Sequence, residues 1–500
     1  MTSMLALRSR ELLVSIRERA LAASAWTGAI LAVQIGGQLV QFVGLARLLE
    51  PHQVGLVAIG TLLAGLVEVF LGVGIASAII QRRRVTSFEL SSVHWLNMGI
   101  STGIGLLVIA GAAFIARAFG SADATRVVAL MGVVFIVIGW THVYRAVLEK
   151  DLNFKPVAIA EISGVLITVI GALTLAALGV GAESVAIGLL VGSLIRAGVL
   201  MVGGRRLFRL RLRFRFAETK RFINFGVLQA LDAVLNYAGN NLSAIATGRF
   251  VGPSALGGYN LAYTAVVNLP AKLNPVVTRV LFPFLSTIQD DRDRMNRNYL
   301  RAVTVCGIVS IPFLTGVALA AEEFVEVAFG AKWLWISPLV VILALAGMGR
   351  ALGNPIGPLL AATDNLRLGL YINIVRIIIT VPLTLALTAA FDVAGAAWAL
   401  VAVAVLNYGA GYYCLHRVLR TPFLQYLGAT GLAFLTAVPL AAAVGLAGLL
   451  LPAELGAWWL LVIKAAVGLI ALILTLVWFP HPTVALLRES AGAQLRRVLT

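Results

Sequence analysis

The chain has 500 residues, of which 60% are hydrophobic and only 12% charged, with mean hydropathy +0.96. Soluble domains carry about 25% charged residues, so this composition excludes an ordinary soluble enzyme, a disordered chain and a secreted disulfide scaffold, and leaves a polytopic membrane protein. The net charge of +17 would suggest nucleic acid in a soluble protein, but no soluble domain is present to carry that role, and Lys/Arg-rich cytoplasmic loops account for the excess.

Residues 1–20 form a basic segment in which Arg8, Arg10, Arg17 and Arg19 alternate with Leu5, Leu12, Leu13 and Ile16, predicting a cytoplasmic interfacial helix. The longest apolar run follows Leu21–Ala25 rather than preceding it, which points to an uncleaved first helix and not to a signal peptide. A ruler of about 20 apolar residues per crossing predicts spans over 21–43, 54–80, 95–116, 127–148, 157–178 and 184–204. After a basic run, Arg205–Phe216, it predicts 223–247, 255–281, 302–321, 335–361, 368–390 and 393–415, then 424–450 and 457–479. The expected fold is therefore an all-α polytopic membrane protein with about 14 transmembrane helices. Its expected parts are the cytoplasmic basic segment 1–20, an N-terminal six-helix lobe 21–204, a basic cytoplasmic linker 205–222, a C-terminal six-helix lobe 223–416, two additional helices in 424–479, and a cytoplasmic tail 480–500.

Charge supports this map. Of 39 Lys and Arg, 28 fall in or at the edges of one alternate set of loops, and 5 in the other. The positive-inside rule then places both termini in the cytoplasm. The map also repeats. Arg47-Leu-Leu-Glu-Pro51-His-Gln-Val-Gly55 resembles Arg249-Phe-Val-Gly-Pro253-Ser-Ala-Leu-Gly257 at a constant offset of 202 residues. Phe119-Gly120 and Phe329-Gly330 match in context, each opening the loop before a fourth span. Spans 1–6 and 7–12 thus read as two parallel six-helix repeats, a recurring transporter plan with the substrate site between the halves.

The stretch Leu45–Leu56 resembles the first-repeat signature of polysaccharide exporters of the multidrug/oligosaccharidyl-lipid/polysaccharide superfamily, and Gly248–Tyr263 is similar to the second. Asn268-Leu-Pro, Asn274-Pro-Val-Val, Val280–Ser286 and Gln289–Arg294 continue the likeness, which covers residues 20–420 and is closest to the Wzx-type, colanic-acid-exporter-like branch. The resemblance implies a flippase in the bacterial cytoplasmic membrane. It would move an undecaprenyl-diphosphate-linked oligosaccharide to the outer leaflet by alternating access, for cell-surface polysaccharide biosynthesis. It further implies a polysaccharide polymerase and chain-length machinery as pathway partners.

Intramembrane polar groups are costly and face a cavity or another helix. Arg350, Arg376, Lys272 and Arg196 each lie about ten residues from the predicted cytoplasmic end of their spans, about 15 Å deep, and Glu68 and Asp232 lie at similar depth. Four cations against two anions form a net basic belt, suited to a diphosphate. The alternative is internal pairing, with Asp232 on Lys272 and Glu68 on an arginine; Glu68 and Asp232 are also the candidates for coupling. Pro270 and Pro275 bracket Lys272, and Arg350 precedes Gly353-Asn-Pro-Ile-Gly-Pro358, so both sit by predicted helix interruptions, read either as binding site or hinge or as static kinks. Gln34, Gln38 and Gln41 share one face of span 1, and Gln229, Asp232, Asn236 and Asn240 share one face of span 7. These amide stripes suit sugar hydroxyls or interhelical bonds. The basic run Arg205–Phe216 suits anionic membrane lipids.

Cys306 and Cys414 have no metal-ligand spacing, the five histidines are scattered, and no phosphate loop, HExxH or GxSxG occurs. The expectation is a secondary or potential-driven transporter, not an enzyme, with no cofactor or metal. Two other readings remain at this stage. A cation-coupled multidrug exporter on the same fold would favour an acidic cavity, and a glycan polymerase or ligase would present a large outer loop.

Overall fold

The computed structural model describes residues 2–82, 85–217, 219–220, 233–268 and 281–478. Among these the chain is helical and contains no strand. Among the described residues, ten helices are long and apolar enough to cross a membrane, eleven when one bent pair counts as a single span. The helix Leu366–Leu419 carries two predicted spans, merged across a kink at Phe391–Asp392, where Asp392 takes φ +53°. The predicted seventh and eighth spans lie partly outside the described residues, as does the tail 480–500. The chain divides into two compact units, Met1–Gly257 and Gly258–Thr500.

Unit 1 is built from α1 (Thr2–Leu48), α2 (Pro51–Gln81), α3 (Ser87–Ala110), α4 (Ala112–Ala118), α5 (Ala124–Ile138), α6 (His142–Lys150), α7 (Phe154–Ala177), α8 (Glu183–Gly204) and α9 (Leu242–Phe250). The predicted interfacial segment is continuous with the first span, because α1 has no break. Starts follow local chemistry. Thr86 and Glu89 form a reciprocal capping box before α3, with bonds of 3.2 and 2.8 Å. Pro51 opens α2, where its missing N–H costs nothing. α5 and α6 form the bent pair, turning by 41°. At that bend the buried Asn97 donates to the Gly139 carbonyl at 2.9 Å, satisfying an acceptor the break releases. α7 and α8 pack at backbone distance. A Cβ on Gly188 would sit 2.8 Å from the Ala172 amide nitrogen, and one on Gly192 would overlap Thr168. This small-residue seam sets the register of two charged positions, Glu161 and Arg196.

The loops predicted to share a side do meet in unit 1. Lys150 donates to the carbonyls of Ile79 and Arg82 at 3.0 and 2.6 Å, joining the loops after spans 2 and 4. The basic linker joins them through Trp95 to the Arg211 carbonyl at 2.9 Å and through amides of Arg211 and Arg215 to Ser91 and Ser92. On another set of loops, His52 lies 3.2 Å from Asp123.

The repeat is visible in the backbone. α1 ends at Leu48 and α9 at Phe250, and α2 begins at Pro51 and α10 (Pro253–Tyr263) at Pro253, both 202 residues apart. The two signatures also touch each other reciprocally. A Cβ on Gly55 would overlap the Pro253 carbonyl, and one on Gly257 would lie 2.9 Å from the Pro51 carbonyl and 2.8 Å from the Gly55 amide nitrogen. Each glycine therefore receives the first turn of the other repeat.

Unit 2 holds a π-helical turn at Thr264–Asn268, then α11 (Arg292–Leu319), α12 (Ala321–Phe329), a 3-10 turn at Ala331–Ile336, α13 (Ser337–Gly353), α14 (Ile356–Ala362), α15 (Leu366–Leu419), α16 (Phe423–Leu450) and α17 (Gly456–Trp478). The last two helices pack onto α11 and α12. Thr304 donates to the Ala429 carbonyl at 3.0 Å, Gly307 leaves room for Ala433, and Lys464 pairs with Glu323. Both members of that pair are largely enclosed, at 10% and 16% side-chain exposure. We expect Lys464→Met to cost about 3 kcal/mol by orphaning Glu323, and Lys464→Met with Glu323→Met to recover most of it. Thermal unfolding in detergent reads both; equal losses in the single and double variants would show that the ion pair does not hold α17.

Candidate functional site in the membrane-spanning helices

Apart from the Lys464–Glu323 pair, the predicted intramembrane charges among the described residues fall into two sets, one per unit. In unit 1 the hub is Glu161 on α7, only 3% exposed. Its Oε1 accepts from Arg145 Nη1 of α6 at 3.0 Å, and its Oε2 lies 3.5 Å from Arg196 Nη1 of α8. Gln34 Nε2 of α1 reaches the same Oε2 at 3.5 Å. Arg145 Nε also donates to Glu149 at 2.8 Å, one helical turn on. The imidazole of His142 lies within electrostatic range of both arginines, and its Nε2 has no hydrogen-bond partner. Glu68, exposed on α2, is within range of Arg145. Helices α1, α6 and α8 thus converge on the one carboxylate of α7.

Arg196 is accordingly an ion-paired residue here, although its Nε remains without a partner. Glu161, Arg145, Glu149 and His142 escape the sequence reading. Glu161 and Arg145 fall inside the predicted spans 157–178 and 127–148, so an inventory of every charge within those limits would include them. Of the glutamine stripe, Gln34 turns to Glu161, Gln38 is engaged within the protein, and Gln41 is half-buried on the same face. Of the second stripe, Asn236 is half-buried and engaged, and Asn240 is exposed. Beside them Tyr237 donates to the Leu62 carbonyl at 3.0 Å and rests on Gly65. Gln229, Asp232 and Lys272, with its bracketing prolines, lie outside the described residues.

In unit 2, Arg350 sits in the last turn of α13, and Arg376 on α15 lies within range of mutual repulsion with it. Arg350 Nη1 donates to the Tyr263 hydroxyl at 3.1 Å, and Tyr263 stacks on Tyr259 at 5.9 Å. Tyr263 ends α10 at the π-helical turn, a local overwinding common at functional positions. Gly347 admits the Val266 carbonyl of that turn, bringing α13 against it. The interruption expected after Arg350 is present: α13 ends at Gly353, and Asn354–Pro355 form a turn before α14. Among the described residues no carboxylate pairs with Arg350 or Arg376. Two like charges within range of each other at half-buried positions, with no carboxylate partner among the described residues, are arranged to receive an anion.

Residues 44–338 match the family described as "Polysaccharide biosynthesis protein". The "Lipopolysaccharide biosynthesis protein WzxC" of Escherichia coli K12 is 30% identical over 94% of this chain and 96% of its own. The chain belongs to the polysaccharide biosynthesis protein family. Another relative, the "Teichuronic acid biosynthesis protein TuaB" of Bacillus subtilis, is 28% identical over 82% of this chain and 85% of its own. Among solved structures, the lipid II flippase MurJ in an inward closed conformation superposes with TM-score 0.72 at 16% identity, covering 91% of this chain and 97% of that one. A multidrug resistance MATE family transporter of the MOP superfamily superposes at 0.61 with 13% identity, covering 79% and 94%. This member of the family therefore has the MOP fold, a multi-pass membrane architecture.

Proposed function

We propose that this protein moves an oligosaccharide carried on undecaprenyl diphosphate across the bacterial cytoplasmic membrane, with both termini in the cytoplasm. The observation that carries the reading is the pair Arg350 and Arg376, which no described carboxylate neutralises. A cationic drug would be repelled by it, whereas a diphosphate would compensate it. Family membership and the names of its relatives, which include a succinoglycan biosynthesis transport protein of Rhizobium meliloti and a probable glycan biosynthesis flippase of Haloferax volcanii, support the same reading. The amides of Gln41 and Asn240 would contact sugar hydroxyls. Spans 21–204 and 223–416 would act as the two lobes, with 205–222 as the cytoplasmic linker.

The linker also supports an inner-leaflet position. Leu212, Phe214 and Phe216 are exposed, and Arg211 and Arg213 lie 4.6 and 4.3 Å over the Phe88 ring. Such a ribbon suits anionic headgroups. On the far side, a polymerase and the chain-length machinery would receive the product.

Mass spectrometry of polyprenyl-diphosphate glycans from wild-type and deletion membranes tests the proposal. One complete repeat unit should accumulate in the deletion. An unchanged lipid-linked pool with build-up of toxic cations inside the cells would replace the flippase by a drug exporter.

A further inference from the structure

The unit 1 network makes sense as more than a structural ion pair. Its carboxylate is enclosed at 3% exposure, while the side chains of Arg145 and Arg196 are 42% and 22% exposed. The guanidiniums are therefore reachable where the carboxylate is not. Neither grips Glu161 with a two-pronged fork: each offers it one Nη1. Arg145 spends its Nε on Glu149, and the buried Nε of Arg196 has no partner among the described residues, so each guanidinium is only partly satisfied. The backbones of α7 and α8 are locked by the glycine seam around Gly164, Gly188 and Gly192. Any rearrangement must come from side chains.

Charge decides the consequence. Two arginines balance Glu149 and Glu161, and Glu68 adds a further negative charge in range of Arg145. The groups on Glu161 are Gln34 of α1, Arg145 of α6 and Arg196 of α8; around those arginines lie Glu149 and His142 of α6 and Glu68 of α2. An entering diphosphate would compete with Glu161 for the two guanidiniums. A buried carboxylate stripped of both cations cannot stay ionised at acceptable cost; it takes a proton instead.

We propose that Glu161 is a proton-binding site coupled to anion binding in unit 1. Arg145 and Arg196 exchange the Glu161 carboxylate for a diphosphate, and Glu161 takes one proton from the aqueous phase while both arginines stay charged. This rests on the diphosphate reading above and adds one proton to that ligand's bound state. Because the bound state holds one more proton, affinity must fall as pH rises, by up to about tenfold per pH unit.

Isothermal titration of the full-length protein with farnesyl diphosphate, in buffers of different ionisation enthalpy, counts the protons taken up. Wild type should take up about one more proton per ligand than Glu161→Gln, whose affinity should lack the wild type's extra pH dependence. Protonation of the diphosphate itself is common to both and cancels. If Glu161→Gln does not fold, the infrared difference spectrum of wild type decides: binding should raise a protonated-carboxyl C=O band. Binding with no proton uptake and no such band overturns the coupling while leaving the flippase reading intact. Uptake retained in Glu161→Gln also overturns it and moves the proton to His142 or Glu68. Failure of wild type to bind farnesyl diphosphate at all removes both readings.

Discussion

Arg350→Ala and Arg376→Ala are each expected to abolish export of the proposed lipid-linked glycan while the protein stays in the membrane at its normal level. The physical reason is that the two guanidiniums, held within mutual repulsion, have no described carboxylate to satisfy them, so a bound anion is their natural partner. A hydrogen bond to a charged group contributes about 1.5–3 kcal/mol. Losing one arginine should then weaken farnesyl diphosphate binding by about 10- to 150-fold, since 1.4 kcal/mol is about tenfold. Arg350→Lys keeps the charge but loses the planar fork and the geometry of the bond to Tyr263, so it should fall between wild type and Arg350→Ala. The accumulated lipid-linked repeat unit, measured by mass spectrometry beside a membrane-protein blot, checks all three. Normal export by both alanine variants would remove the anion-binding role of this pair.

The second large effect belongs to the crossing of the two repeat signatures. Gly55→Val or Gly257→Val places a branched side chain where the structure has only room for backbone. Overpacking of this kind costs about 1–3 kcal/mol, and in the proposed transport cycle it would fall on a contact that opens and closes. With both termini in the cytoplasm, as proposed, this end would lie at the outer face. Both variants should therefore lose transport and favour an open outer end. A cysteine at the buried position Leu56, in a background with Cys306→Ser and Cys414→Ser, reports the change. Its reaction with a membrane-impermeant maleimide should rise in both glycine variants. Unchanged labelling with normal export would mean that this crossing does not gate the pathway. Gly55→Ala should be milder than Gly55→Val, because one carbon displaces the Pro253 turn less than three.

Composition alone is enough to see that this is a helical membrane protein, because few charges and long apolar runs leave no other way to satisfy the backbone in lipid. The loop alternation was legible for the same reason: Lys and Arg segregate by side. Segments at or beside the loops after spans 2, 4 and 6 are bonded together in unit 1 through Lys150, Ser91, Ser92 and Trp95. The repeat was legible because each copy needs a proline at a helix start and a glycine one turn later, and both leave letters in the chain. Arg350 beside a helix interruption was likewise visible from Asn354-Pro355.

Pairing was not legible. Arg196 and Arg350 look alike in the sequence: each is a lone arginine deep in an apolar span. Only packing separates them. The α7–α8 glycine seam brings Arg196 to Glu161, and the 41° bend after α5 swings Arg145 to the same carboxylate. The π-helical turn and Gly347 give Arg350 a tyrosine instead. Nor could the sequence show that the two glycines of its repeat, 202 residues apart, lie against one another. Hydropathy and charge are sums over neighbours in the chain, so they predict which segments span and which loops share a side. Which charge meets which depends on helix crossings at ångström distances, and those exist only once the helices have packed.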